Sequence, residues 1–101
     1  MWRLDARSAL PVWHPVPSPP GVRMAFSTRR GGISQAPYDA LNLGRSTRDR
    51  LQTVDRNRHL ILTALGLDPT RLATAGQVHG ATVARARAPG LHPACDALVT
   101  T

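Results

Sequence analysis

The stretch FSTRRGGISQAPYDALNLG, residues 26–44, decides how the rest of the sequence is interpreted. It begins inside VRMAFST, residues 22–28, where an apolar residue at every second position predicts a β-strand with one apolar face. The glycine pair Gly31–Gly32 then predicts a sharp turn, because glycine adopts backbone conformations that other residues avoid. Residues 34–46 have the composition of a loop. The stretch therefore predicts a strand that leads into a long loop.

A helix is predicted after this loop, at about residues 49–65. Asp49 and Gln52 have the spacing of a helix-capping pair, and Gly66 stands where a helix would end. The apolar positions of one face are Leu51, Val54, Ile61 and Leu65. The opposite face carries arginine and aspartate, which is typical of a face exposed to water.

Short apolar segments follow the helix at residues 72–74, 81–88 and 96–100, and each is predicted to be a strand. The order of strand, loop, helix and further strands predicts an α/β fold with mixed sheets and packed helices. Residues 1–21 are rich in proline and are predicted to be an extended lead-in. Residues 22–101 are then expected to form part of a single domain.

The charge comes from arginine alone on the basic side and from aspartate alone on the acidic side. The net charge is +7, from thirteen basic and six acidic residues. Guanidinium groups pair well with phosphate oxygens, so a phosphate-bearing partner is one interpretation. A scattered, solvated surface is the other, and nucleic-acid binding is not favoured because aromatic residues are missing from the basic segments.

The single cysteine, Cys95, excludes an internal disulfide within these 101 residues and is interpreted as a small buried thiol. The amino-terminal residues carry charge and proline where a secretory signal needs an apolar run, and no segment reaches membrane-spanning length. A cytoplasmic location without a membrane partner is therefore expected.

A histidine next to a glycine marks the second informative stretch, AGQVHGATV at residues 75–83. His79 lies between two predicted strands, and Gly80 beside it leaves room for a ligand or metal to approach the imidazole. A hydrogen-bonded structural histidine is the alternative. A catalytic zinc site would need further ligands from distant segments.

Two residues of the first stretch are candidates for binding a substrate. Arg29 follows the predicted strand directly, so its guanidinium group is a candidate for binding an anion; the alternative is an ion pair with Asp39 or Asp49. Asn42 has an amide that suits a sugar or a base; the alternative is a bond that stabilises its own loop.

Five motifs together resemble the YfiH-like family, which carries an older label of multicopper polyphenol oxidase or laccase-domain protein. They are FSTRRGGIS, PYDALNLG, VDRNR, QVHG and DALVT, in this order, and they lie within residues 26–100. The resemblance implies a layered α/β fold and a zinc site with three ligands. His79 matches the first ligand; the other two belong to later motifs, so the chain is expected to be an amino-terminal part of a longer protein and inactive alone.

The same resemblance implies the activity. The family is described as zinc-dependent purine nucleoside phosphorylase, acting on adenosine, inosine and methylthioadenosine with phosphate, with adenosine deaminase activity. Arg29 is then expected to bind phosphate, and Asn42 to bind the ribose or the base. Polyphenol oxidation with copper, as in the older label, is the alternative activity. Clusters of copper ions need many histidines, however, and this chain has four isolated ones.

Overall fold

The computed structural model describes residues 1–100 of the chain. The chain divides into two compact units, Met1–Leu67 and the residues from Asp68 onward, and each is described by itself. Between them they contain one α-helix and three small sheets, which makes the described chain a small α/β protein. Within residues 1–100, no helix is both long and apolar enough to cross a lipid bilayer.

The first unit contains a three-stranded antiparallel sheet. Strands β1 (Trp2–Asp5) and β2 (Val12–Pro15) form a hairpin in which Trp2 pairs with Pro15. The short strand β3 (Phe26–Ser27) adds to the other edge of β2. The Trp2 and Phe26 rings lie 5.1 Å apart on this sheet. Within the proline-rich start of the chain, β1 and β2 thus pair with each other. The domain boundary after residue 21 stays a prediction.

Helix α1 (Leu51–Ala64) confirms the predicted helix, with bounds that differ slightly. The capping pair is wrong: Arg50 is the N-cap residue, and no side chain caps the first turn. The end at Gly66 is confirmed, because the amides of Gly66 and Leu67 donate to the carbonyls of Thr63 and Leu62.

The core of the first unit is small and aliphatic. Val12, Leu41 and Ile61 form a buried cluster to which the hairpin, the loop and the helix each contribute one residue, and Val54 on α1 is also buried. The residues packed against this cluster are Leu10, Leu43, Leu62 and Leu65. A chain segment of this length buries a modest fraction of its surface, and such a core leaves the loop dependent on polar contacts as well.

The second unit contains two parallel strand pairs after a short 3-10 helix (Pro69–Arg71). Strand β4 (Ala73–Gly76) pairs with β6 (Gly90–Pro93). Strand β5 (Val83–Arg85) pairs with β7 (Ala97–Val99). The two pairs alternate along the chain, so the connection from β4 to β5, which carries His79, lies between strands of different sheets.

Two strand predictions need correction. The strand predicted at residues 22–28 is reduced to two residues, and Val22, Met24 and Phe26 are all exposed rather than packed inward. Alternation alone does not form a strand when only a short segment of the neighbouring strand is available for pairing. Strand β6 was not predicted, because its proline and glycine residues indicate a loop.

Candidate functional site

The long loop of the first unit is anchored by one buried side chain, Asn57 on α1, which is fully buried. Its Oδ1 accepts from the Ile33 amide at 2.9 Å. Its Nδ2 donates to Ser34 Oγ at 2.8 Å and to the Asn42 carbonyl at 3.0 Å. A longer contact of 3.4 Å reaches the Ala40 carbonyl. The segment at Ile33–Ser34 and the segment at Asn42 are therefore held to the helix by the same amide group.

The absence of a side chain at Gly32 lets two segments of the loop backbone pass close to each other. A Cβ atom at Gly32 would lie 2.3 Å from the Ala40 carbonyl oxygen and 2.6 Å from Asn57 Oδ1. Backbone therefore passes against backbone at this point, which only a residue without a side chain allows. The Ser34 amide donates to the same Ala40 carbonyl at 2.9 Å.

The Asp49 carboxylate closes the loop from the side of the helix. Asp49 Oδ2 accepts from Ser34 Oγ at 2.6 Å and from Asn42 Nδ2 at 3.2 Å. The Arg50 amide donates to Oδ1 at 2.9 Å. The hydrogen bond from Ser34 holds the pKa of Asp49 below its usual range, with smaller contributions from Asn42 and Arg50 and against the effect of desolvation.

Asn42 is half-buried, and its amide bonds within its own loop. Besides the bond to Asp49, Nδ2 donates to Thr47 Oγ1 at 2.9 Å, and Oδ1 accepts from the Gly44 amide at 3.1 Å. Both donors of the amide are thereby used. The structure thus shows the loop-stabilising bonds that sequence reasoning offered as the alternative. A contact from Asn42 to ribose or base stays a prediction and would have to use the remaining acceptor capacity or replace one of these bonds.

Arg29 lies at the start of the loop with its guanidinium group in solvent. Its NH2 group is 2.9 Å from Asp39 Oδ2, and 76% of the side chain is exposed. The Arg29 carbonyl accepts from the Ala40 and Leu41 amides. The backbone of Arg29 is thus fixed next to the segment that contains Asn42. Among residues 1–100, its side chain is held only by this surface ion pair, which another anion is able to replace.

A small cleft lies beside the loop at the beginning of α1. Its volume is about 330 Å³. Its walls include Tyr38, Arg48, Asp49 and Arg50, and the Tyr38 hydroxyl accepts from the Arg48 amide at 3.2 Å. This volume is at the lower end of small-molecule sites.

In the second unit, His79 occupies a turn directly after β4. It is exposed and has a φ of 60°. This left-handed conformation is unfavourable for a residue with a side chain. The Asp96 carboxylate accepts from both neighbouring amides, with Oδ1 3.0 Å from the Val78 nitrogen and Oδ2 3.0 Å from the Gly80 nitrogen. The turn therefore projects the imidazole outward while a carboxylate fixes the backbone on both sides of it.

A zinc ion would need more than residues 1–100 provide. Within these residues, no three histidine, cysteine or acidic side chains converge. A catalytic zinc site takes three protein ligands, and the described residues bring no such set together around His79. Cys95 is no substitute, because it is 1% exposed and its thiol donates to the His92 carbonyl at 3.2 Å. The prediction of a buried thiol is confirmed.

Sequence reasoning missed two residues that shape these features, Asn57 and Asp96. The signal for Asn57 was available: it follows Val54 by three positions and precedes Ile61 by four, which puts it on the buried face of the helix. Asp96 had no comparable signal, because it bonds to residues 16 and 18 positions earlier through the fold of the second unit.

The family described as multi-copper polyphenol oxidoreductase laccase matches residues 23–101. That range includes Arg29, Asn42 and His79. No solved structure matches the chain at a significant level.

Curated relatives match over most of the chain. A purine nucleoside phosphorylase of Streptomyces coelicolor is 43% identical over 83 residues, which are 79% of this chain and 34% of the relative. One of Pseudomonas aeruginosa is 43% identical over 76 residues, 75% of this chain and 29% of the relative. The purine nucleoside phosphorylase YfiH of Escherichia coli is 42% identical over 71 residues, 70% of this chain and 28% of the relative. The chain thus spans about a third of the length of the curated relatives it matches.

Proposed function

The chain belongs to the family described as multi-copper polyphenol oxidoreductase laccase, and from this premise we propose that the intact protein is a zinc-dependent purine nucleoside phosphorylase. The proposed substrates are adenosine, inosine and methylthioadenosine with phosphate, and deamination of adenosine is proposed as a second activity. The observation that carries the proposal is the 43% identity to a relative named as a purine nucleoside phosphorylase. The 101 residues alone are proposed to be inactive, because His79 is one ligand of three.

In phosphorolysis, a phosphate oxygen forms a bond to the ribose C1′ atom, and the bond from C1′ to the purine nitrogen breaks. The purine leaves with the electron pair and takes up a proton. Arg29 is proposed to bind the phosphate, since its guanidinium group is exposed and its ion-pair partner is a surface carboxylate. Asn42 is proposed to contact the ribose or the base from the adjoining segment of the loop.

His79 is proposed as a zinc ligand. Its exposed imidazole is presented by a turn whose backbone is fixed on both sides. When bound, zinc supplies Lewis acidity toward the purine ring and toward water, which is the chemistry that deamination requires. The described residues restrain the backbone on both sides of His79; the remaining ligands are proposed to come from the rest of the intact protein.

The test uses the intact protein with inosine or adenosine plus phosphate, and measures ribose 1-phosphate, free purine, inosine formed from adenosine, and bound zinc. We expect His79→Ala to lose both activities and the zinc. His59→Ala is the matched control, because His59 is an exposed histidine on α1 and has no proposed role. Full turnover and full zinc content in His79→Ala would overturn the proposal.

The family description makes polyphenol oxidation a second candidate. Multicopper sites are built from sets of imidazole ligands, and the four histidines within residues 1–100 form no such group. The same protein preparation, loaded with copper and supplied with a diphenol and oxygen, separates the two candidates. Oxidation that exceeds nucleoside turnover would favour the older family label.

A nucleic-acid-binding role has one specific observation in its favour. In the second unit, Arg71, Arg85 and Arg87 line a cleft of about 690 Å³, and none of them forms an ion pair within residues 1–100. Binding through such contacts weakens steeply with salt. An oligonucleotide titration at two ionic strengths therefore tests this role, and absence of binding at low salt would remove it.

A further inference from the structure

The His79 turn combines three properties that need an explanation. The residue is exposed, it has a side chain, and its φ of 60° lies in the left-handed region. Residues of this kind persist only where neighbouring groups stabilise the conformation, and they are enriched at functional sites. A contact that stabilises this conformation must therefore exist close to the turn.

Asp96 provides that contact with both oxygens of one carboxylate. Each oxygen accepts from one of the amides of Val78 and Gly80, which flank His79, and both nitrogen-to-oxygen distances are 3.0 Å. Hydrogen bonds from amides to an ionised carboxylate are stronger than bonds between neutral groups. The two bonds hold the Gln77–Val78 and His79–Gly80 peptide planes, and they thereby restrain the backbone angles of Val78 and His79, which lie between these planes.

The position of Asp96 is itself set by the strands of the second unit. Its amide donates to the Thr82 carbonyl at 2.8 Å, and it directly precedes β7. Gln77 Nε2 approaches the Asp96 carbonyl at 3.4 Å. A Cβ atom at Gly80 would lie 3.1 Å from Asp96 Oδ2, so the glycine beside His79 leaves room for this carboxylate.

We propose that Asp96 is a positioning residue that holds the His79 imidazole in the orientation required of a zinc ligand. This inference rests on the proposed role of His79. The carboxylate does not contact the imidazole through any hydrogen bond within residues 1–100; it acts on the backbone that carries the ring. The role of Gly80 follows from the same geometry: its missing side chain leaves room for the carboxylate.

The experiment compares Asp96→Asn with Asp68→Asn in the intact protein. Asp68 is the matched control, because its carboxylate also accepts a backbone amide, that of Thr70 at 2.9 Å, in a turn of the second unit that lacks His79. In Asp96→Asn the side-chain NH2 group faces one of the two amide donors, so one of the two bonds is lost. Three quantities are measured: amide hydrogen exchange at Val78 and Gly80, zinc affinity by competition with a chelator, and the urea midpoint of unfolding.

We expect Asp96→Asn to speed exchange at Val78 and Gly80 and to weaken zinc binding by about 10- to 100-fold, the range seen when groups that orient metal ligands are removed. Asp68→Asn is expected to change neither quantity, while the two variants unfold at similar urea concentrations. A purely structural role for Asp96 would lower the unfolding midpoint without this selective loss of zinc.

A second pair of variants keeps the test decisive if Asp96→Asn is poorly folded. His79→Gly removes the side chain that makes the left-handed conformation unfavourable. In the His79→Gly background, Asp96→Asn is expected to shift the urea midpoint by less than it does in the wild-type background. Equal shifts in both backgrounds would show that Asp96 does not act on the conformation of residue 79.

The outcomes separate this inference from the proposed function. If wild-type protein binds no zinc, or His79→Ala keeps its zinc, the proposed function fails while the exchange data still decide whether Asp96 holds the turn. If wild-type protein binds zinc through His79 but Asp96→Asn binds it as tightly as Asp68→Asn does, the positioning role is overturned and the proposed function stands.

Discussion

The loop at residues 29–49 and the turn at residues 77–80 are stabilised in different ways. The loop is tied to a fully buried amide, Asn57, and to a carboxylate, Asp49, and these two side chains bond to it at several points. The turn relies on one half-buried carboxylate, Asp96, which reaches two amides. The first arrangement is part of the core of its unit; the second is a local contact near the surface.

Because of this difference, the loop anchors are expected to affect mainly the stability of the fold, and the turn anchor mainly the position of the His79 side chain. Loss of a loop anchor leaves several buried polar groups without a hydrogen-bond partner, so it is expected to lower the free energy of unfolding of the intact protein. Loss of the turn anchor affects two exposed amides, which water can solvate. Its main effect is expected in the conformation of His79, with a smaller effect on global stability.

The largest effect is expected for Asn57→Ala. The substitution leaves the Ile33 amide and the donors and acceptors around Ser34 without their buried partner, at a cost of about 2–4 kcal/mol in the free energy of unfolding. Urea unfolding measures it. Gln52→Ala, at an exposed position on the same helix, is the control. A cost below about 0.5 kcal/mol would show that the loop is held by something other than this amide.

A somewhat smaller loss is expected for Gly32→Ala. The added Cβ atom would overlap the Ala40 carbonyl, and displacing backbone costs about 1–3 kcal/mol. Gly44→Ala is a close match in the same loop, because its Cβ atom would meet no neighbour nearer than 3.6 Å. Thermal unfolding of the two variants should differ accordingly; equal midpoints would contradict the close approach at Gly32.

At position 79 in the turn, glycine is expected to be more stabilising than alanine. Because the left-handed conformation is unfavourable for a residue with a Cβ atom, His79→Gly should be more stable than His79→Ala by about 1 kcal/mol. Urea unfolding of both variants measures the difference, and each lacks the imidazole, so loss of the ring cancels. An alanine variant as stable as the glycine variant would argue that residue 79 is not strained.

Acid should weaken the loop through Asp49. The folded-state pKa of Asp49 lies below its usual range, so its contribution to stability is present above the unfolded pKa of about 4 and is lost as pH falls through the lower folded value. The difference in stability between wild type and Asp49→Asn should therefore shrink on acidification from neutral pH. Taking this difference removes the contributions of Asp5 and Asp68, whose pKa values are also lowered. If the difference in stability between wild type and Asp49→Asn does not depend on pH, the role of ionised Asp49 is contradicted.

The smallest change in stability is expected for Arg29→Ala. Its ion pair with Asp39 is exposed, so its loss should cost less than about 0.5 kcal/mol. The proposed phosphate contact nevertheless predicts a raised KM for phosphate. Asp39→Ala breaks the same pair and keeps the guanidinium group, so its KM should not rise. If the KM for phosphate rises equally in both variants, phosphate binding depends on the ion pair rather than on a direct contact with Arg29.

The sequence predicted features that depend on neighbours along the chain. The helix from about 49 to 65 follows from a repeated apolar spacing, and the structure has it at Leu51–Ala64. The resemblance carried by five short motifs is confirmed by the family match to residues 23–101. The strand at 22–28 was overestimated and β6 was missed, because strand formation depends on a partner elsewhere in the chain.

For the candidate site, the sequence by itself supplied the side chains that are proposed to carry the chemistry: the imidazole of His79, the guanidinium group of Arg29 and the amide of Asn42. Only the tertiary structure decided how they are held. Asp96 reaches the amides beside His79 from 16 and 18 residues away, and Asn57 reaches the loop from 15 to 24 residues away. Residue type fixes which bonds a group is able to form; which partner it meets depends on how the chain folds back on itself.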